Sequence, residues 1–173
     1  MRKFVGVTFI FLLFIVLIFL VYGIVKKSGE KALIENRIAT LPKFSFVDLE
    51  CNLFSSDSIN EGPLLIVKFH PECEHCQYEI SEIFHSSIPF SGTKILFITN
   101  SSREKTKQFF SQFDKSVMSQ AIILIDSSYA FSNIFGKDIV PSNYIYDRDL
   151  KLTRALYGEY KIEIMEKLLG LHE

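Results

Sequence analysis

At 173 residues the chain has room for one domain and an appendage, and 19 Lys and Arg against 20 Asp and Glu leave a formal net charge of −1. No overall positive field therefore exists to hold nucleic acid. Apolar residues make up 48% of the chain and 17 residues are phenylalanine, but much of this excess sits at the N-terminus, and the remainder has the composition of an ordinary globular domain.

The run FVGVTFIFLLFIVLIFLVYGIV, Phe4 to Val25, is uncharged and apolar, over the length a helix needs to cross a hydrocarbon core of about 30 Å. It predicts a transmembrane helix over residues 1–25. A cleaved signal peptide has a shorter apolar region and a small-x-small cleavage site. Here the run ends Val21-Tyr22-Gly23-Ile24-Val25 and meets Lys26 and Lys27, which predicts an uncleaved signal anchor. Arg2 and Lys3 precede the helix, while Lys26, Lys27, Lys31 and Arg37 follow it, so charge alone slightly favours a cytoplasmic domain. A very short tail ahead of a signal-like helix usually stays inside. Together with the chemistry below, that predicts a single pass through the cytoplasmic membrane with the domain on the extracytoplasmic, periplasmic side.

Residues 26–41, KKSGEKALIENRIATL, are charged and weakly amphipathic and read as a solvated stalk, with the domain over residues 42–173. KFSFVDLECNLFSSDSI alternates through Phe44, Phe46 and Val47 to Leu49 and resumes at Asn52 to Ser55, as a strand pair does, with Cys51 at the turn. PLLIVKF, Pro63 to Phe69, is a short continuous apolar run, the mark of a strand covered on both faces. It predicts the central strand. CQYEISEIFHSSI follows as a helix, with Ile80, Ile83, Phe84 and Ile88 at helical spacing. Thr93 to Thr99 is a second buried strand, then Asn100 and Ser101 stand as potential caps of the helix REKTKQFFSQF. Gln120 to Asp126 gives a third strand, with a short helix through Ala130, Phe131 and Ile134 to Gly136. NYIYDRDLKLTRALY predicts a β-hairpin turning at Asp147-Arg148-Asp149, and YKIEIMEKLLGL a closing helix with a stripe of Ile162, Met165, Leu168 and Leu169. Strands alternating with helices, then a hairpin and a helix, predict an α/β fold with a mixed central sheet flanked by helices.

The stretch FHPECEHCQYEI places Cys73 and Cys76 where the central strand hands over to a helix. A cysteine at a helix N-terminus faces unpaired backbone N–H groups and the positive end of the helix dipole, both of which favour thiolate. Cys73 is thus placed as the nucleophile. Cys76, three residues on, shares its face at disulfide distance and is placed to resolve a mixed disulfide. Of the two residues between them, His75 can donate charge or a hydrogen bond toward Cys73 while Glu74 repels the thiolate, so their tuning effects oppose each other.

PLLIVKFHPECEHCQYEI resembles the active-site strand, loop and helix of membrane-anchored thiol-disulfide oxidoreductases of the TlpA/ResA kind, within the thioredoxin and redoxin superfamily. IVPSNYIYDRDLKL resembles the family's second motif. The resemblance spans roughly Leu41 to Leu169 and implies a thioredoxin-like fold, with Pro141 cis after Val140, facing the cysteine pair and positioning a substrate segment. It implies exchange of disulfides with exported proteins, as a reductase, with the dithiol itself carrying the electrons and no bound cofactor or metal. Partners would be exported thiol or disulfide proteins and a membrane electron-transfer protein that regenerates the dithiol; the domain would be a monomer. The chain departs from the family in having Glu72 before the first cysteine and no tryptophan. Lys68 matches the buried acid that many thioredoxins carry in the central strand, so the proton of Cys76 needs another carrier. Glu79, His70 and Lys68 are the titratable candidates.

Plainer readings stand beside these. Glu72 and Glu79 read as solvated helix-end charges, Lys68 as a charge carried to an edge or cleft, and Cys51 as a lone small residue in a turn. Structural zinc needs four ligands; His70 and His75 are near the pair, but no second cysteine pair exists, and His85 and His172 lie on apparent surface helices. A copper carrier needs a histidine between His85 and Pro141, and none is present. The P-x-x-x-T-x-x-C pattern of a peroxiredoxin-like peroxidase is also missing. A non-catalytic binding module on the same fold is the remaining alternative.

Overall fold

The computed structural model describes residues 2–86, 90, 92–114, 118 and 121–171, without the side chains of residues 2–11 and 13. The chain divides into two compact units, Met1–Asn36 and Arg37–Glu173. A helix, α1, runs over Arg2–Ile38. On it the described apolar side chains from Leu12 to Val25, among them Phe14, Phe19 and Tyr22, are half or more exposed with few exceptions. Among the described residues no helix is long and apolar enough to cross a membrane, and the side chains of residues 4–11 and 13 in the run Phe4–Val25 lie outside the description.

The second unit takes in residues that the sequence reading assigns to the stalk. Ile38 is buried, Thr40 bridges to Lys151, and Leu41 N–H donates to Leu150 O at 2.9 Å. The hairpin near Asp147 thereby gains an extra backbone partner. Strands β1 (Ser45–Asp48), β2 (Leu53–Ser55), β3 (Leu64–Lys68), β4 (Lys94–Thr99), β5 (Ala121–Ile125), β6 (Ser142–Tyr146) and β7 (Leu152–Tyr157) form one mixed sheet. Its order is β2-β1-β5-β4-β3-β6-β7. β3 is parallel to β4 and antiparallel to β6, and every one of its residues is buried, as its unbroken apolar run requires.

Helices α2 (Glu74–His85), α3 (Arg103–Phe110), α4 (Phe131–Phe135) and α5 (Ile162–Leu168) cover the sheet. The crossovers β3-α2-β4 and β4-α3-β5 step the same way along the sheet, so right-handedness puts both helices on one face. Leu65, Val67 and Phe69 project there and pack with Cys76 and Ile80 of α2, Phe109 and Phe110 of α3 and Met165 of α5. α4 lies on the other face, where Phe131 and Phe135 stack at 4.4 Å and meet Phe44 and Tyr144.

Two local expectations change. The cap of α3 is Ser102, whose Oγ accepts from Lys105 N–H at 3.3 Å; Ser101 N–H is instead taken by Thr99 Oγ1 at 3.1 Å. Asp126 leaves the third strand and uses both carboxylate oxygens to accept from Ala130 and Phe131 N–H, starting α4. Ile88 and Gln120 lie outside the described residues.

Candidate functional site

β3 ends at Lys68, and Phe69 N–H continues its ladder by donating to Ile98 O at 3.0 Å. A tight turn follows. Cys73 N–H donates to His70 O at 3.0 Å, and Glu72 N–H donates to His70 Nδ1 at 3.3 Å. Cys73 is then the N-cap of α2, and its Sγ accepts from Cys76 N–H at 3.4 Å. The Cys73 sulfur therefore satisfies an otherwise orphaned first-turn donor of α2. Cys73 is half-buried and Cys76 fully buried, both as thiols. Burial raises the Cys76 thiol well above its ordinary range, and the Cys73 sulfur and the Glu79 carboxylate add to the shift. Cys76 therefore needs a base before it can act as a nucleophile.

Glu79, one turn further along α2, is not a solvated charge: it is 1% exposed. Its Oε1 accepts from Asn143 Nδ2 at 2.9 Å and its Oε2 from Tyr160 N–H at 3.0 Å. Burial raises its carboxyl above the ordinary range, the two hydrogen bonds partly offset this, and the charge of Glu159 adds to it. A carboxyl that is neutral more easily than usual, beside a thiol that is hard to ionise, is suited to exchanging a proton with it.

Lys68 turns out differently. Successive strand residues face opposite sides of the sheet, and since Val67 faces Cys76, Lys68 faces α4, with its Nζ 5.2 Å from the centre of the Phe131 ring. It is 1% exposed and pairs with Asp138 Oδ1 at 3.8 Å. Burial lowers its pKa against the opposing charges of Asp138 and Asp126. The sheet thus separates Lys68 from Cys76 and removes it as a proton carrier, and its side chain is buried while its partner Asp138 is exposed. His70 sits within the turn, its Nδ1 already engaged by the Glu72 backbone.

The bond between Val140 and Pro141 is cis. Pro141 O accepts from Gly158 N–H at 2.9 Å, which ties the proline loop to the segment after β7. That same segment reaches α2 twice. Glu159 Oε2 lies 2.6 Å from His75 Nδ1, and Tyr160 N–H holds Glu79. His75 is thus drawn to Glu159, Glu74 stays exposed in the first turn, and Glu72 pairs with Lys105 at 2.8 Å, which lowers its carboxyl pKa.

Asn143, Glu159 and Tyr160 were not legible as site residues. Only Asn143 carried a signal, two residues after Pro141 and hence on one side of its strand. Among the described residues no three His, Cys, Asp or Glu side chains gather as a metal site would require. His85 is bonded within its own helix to Ser81 O at 2.8 Å, and His172 lies outside the described residues. Cys51 is exposed at the β1–β2 turn with φ 69°.

No family model matches the chain, and no curated protein matches it in sequence. Solved structures do. A secreted Mycobacterium tuberculosis disulfide oxidoreductase homologous to E. coli DsbE is similar at 13% identity and a TM-score of 0.64, over 79% of this chain and 98% of that one. A thioredoxin-family thiol:disulfide interchange protein from Chlorobium tepidum TLS is similar at 16% identity and a TM-score of 0.62, over 77% and 94%. The pneumococcal exposed lipoprotein thioredoxin Etrx1 from Streptococcus pneumoniae strain TIGR4 is similar at 13% identity and a TM-score of 0.58, over 73% and 97%. The fold is thioredoxin-like, and these structural neighbours are thiol-disulfide oxidoreductases and thioredoxins.

Proposed function

We propose that the chain is a membrane-tethered thiol-disulfide oxidoreductase that reduces disulfides in exported proteins. The observation that carries the reading is the pair Cys73 and Cys76, one turn apart at the start of α2, with the buried carboxyl of Glu79 one turn beyond. The Cys73 thiolate attacks one sulfur of a substrate disulfide. A Cys73-substrate disulfide forms and the first substrate thiolate leaves. Glu79 takes the proton of Cys76, and the Cys76 thiolate attacks Cys73 Sγ. The second substrate thiolate leaves, two electrons have passed to the substrate, and the domain holds a Cys73–Cys76 disulfide.

Val140 and Pro141 position the substrate segment, while Glu74 and the His75–Glu159 pair set the electrostatic surroundings of Cys73. No bound cofactor takes part. A membrane electron-transfer partner with its own dithiol returns the two electrons. The exposed apolar side chains of α1 from Leu12 to Val25 support its use as the membrane anchor, since water leaves no reason to display so continuous an apolar surface. The secreted and exposed neighbours support an extracytoplasmic domain.

Trapping tests this directly. With Cys76→Ser, the Cys73-substrate disulfide has no resolving thiol, so non-reducing gels of the membrane fraction should show adducts to exported proteins that disappear on reduction. Cys73→Ser should show none. Equal adducts from both variants, or none from Cys76→Ser, would contradict the proposed roles.

A further inference from the structure

We propose that Asn143 is a positioning residue for proton transfer at Cys76: its side-chain amide turns by half a rotation, so that Nδ2 donates to ionised Glu79 and Oδ1 accepts from protonated Glu79. This rests on the dithiol reading above and names a residue that the reading does not need. Glu79 and Asn143 are both buried, with 1% and 0% exposure, so neither can exchange one water partner for another. Glu79 Oε2 is held by Tyr160 N–H, and a backbone N–H only donates. That bond favours keeping Oε2 as the bare carbonyl oxygen, which places the proton that Glu79 takes up on Oε1, the oxygen facing Asn143.

At that moment the Nδ2 donor that serves the carboxylate at 2.9 Å would face an O–H donor. Rotating the amide replaces Nδ2 by Oδ1 in nearly the same place, because the two ends of an amide have almost the same shape. Oδ1 is buried and has no hydrogen-bond partner among the described residues, so the rotation breaks no existing bond at that atom. The Asn143 backbone stays fixed meanwhile, since its Cα is paired with Val67 of β3 on one side and Leu156 of β7 on the other. Leucine at this site could serve neither state, and aspartate would set a second acid against Glu79.

Among the described residues, the titratable and charged groups that act on Glu79 are these. Cys76 and Cys73 lie on its own helix end, and Glu159, paired with His75, comes from the segment after β7. The proton balance is simple. Cys76 thiol and Glu79 carboxylate become Cys76 thiolate and Glu79 carboxylic acid in the resolving step, and the reverse occurs when the dithiol is regenerated. The amide turns once in each direction per cycle.

The test uses the full chain, reduced, in detergent micelles, with carbon-13 glutamate and nitrogen-15 asparagine. The Asn143 side-chain resonance is identified by its loss in Asn143→Leu. The expected result is that this resonance and the Glu79 carboxyl carbon titrate with one shared midpoint, and that the Asn143 resonance ceases to titrate in Glu79→Gln. An Asn143 resonance that stays still while Glu79 titrates overturns the proposal. A second reading is kinetic: Asn143→Leu removes the donor that favours the carboxylate, so the pH midpoint of Cys76 attack should rise by about one unit, with attack about tenfold slower at pH values below the midpoint. An unmoved midpoint also overturns it. Reversible formation of the Cys73–Cys76 disulfide in the same wild-type sample shows separately whether the dithiol reading itself stands.

Discussion

Two buried ionisable residues, Glu79 and Lys68, share the centre of the domain and do opposite things. Glu79 lies on the apolar stripe of α2 with Cys76, Ile80 and Ile83, so helical periodicity already placed it inside; reading it as a solvated charge weighed residue type above position. Lys68 was misplaced for the converse reason. Its neighbours Val67 and Phe69 face the cysteines, and strand alternation turns Lys68 to the far side. There it is costly. Desolvation lowers its pKa in the folded state, so the folded chain binds fewer protons than the unfolded chain between the lowered value and the ordinary one. Its contribution to stability therefore improves as pH rises through that window and is poorest below it. Lys68→Met should be neutral or stabilising at neutral pH, by up to about 2 kcal/mol, with the gain shrinking toward alkaline pH in urea denaturation of the full chain. Asp138→Asn should instead destabilise by about 1 kcal/mol, because Asp138 is 57% exposed and solvent screens the pair. A large loss on Lys68→Met would contradict this account of the buried cation.

At the scale of elements, the sequence was most informative where apolar spacing is regular. The unbroken run of β3 and the alternation of the hairpin β6–β7 each formed the expected element within a residue or two, and the helical stripe after Cys76 formed α2, which ends at His85, three residues before the Ile88 that the spacing included. Ends were harder to read. The cap of α3 fell on Ser102, whose Oγ accepts from Lys105 N–H, and with Asn100, Ser101 and Ser102 in a row residue preference alone does not choose among them. Ser102→Ala should cost about 1 kcal/mol, whereas Ser101→Ala leaves the cap hydrogen bond in place and should cost clearly less; equal losses by thermal or urea unfolding would count against this assignment. The segment Gly158–Tyr160 was invisible for a different reason. Its role consists of contacts to Pro141, His75 and Glu79, and the pairing of His75 with Glu159 spans 84 positions, beyond the reach of any local pattern. By holding the proline loop and α2 together, this segment makes the surroundings of the dithiol a joint product of two distant motifs.

For the whole molecule, the order of elements was enough to foresee an α/β domain with a mixed sheet flanked by helices, and the resemblance carried by the cysteine and proline motifs pointed on to the thioredoxin-like fold. The cysteine pair at the start of α2 was legible too, because strand-to-helix junctions follow from hydrophobic pattern alone. The boundary between helix and domain was less so: residues 38–41 directly follow a charged stretch, yet join the domain by backbone hydrogen bonds to the β6–β7 turn. On the proposed reading, anchor, dithiol and buried carboxyl would together deliver electrons to disulfides outside the membrane. Its central claim is that Cys73 and Cys76 form a reversible, moderately reducing disulfide. The most direct measurement equilibrates the full chain carrying Cys51→Ser in dithiothreitol and glutathione buffers and counts free thiols by alkylation and mass. A single two-thiol transition near the potential of thioredoxin, about −270 mV, is expected; a potential near about −120 mV would contradict the reductase direction, and the absence of any reversible disulfide would contradict the account as a whole.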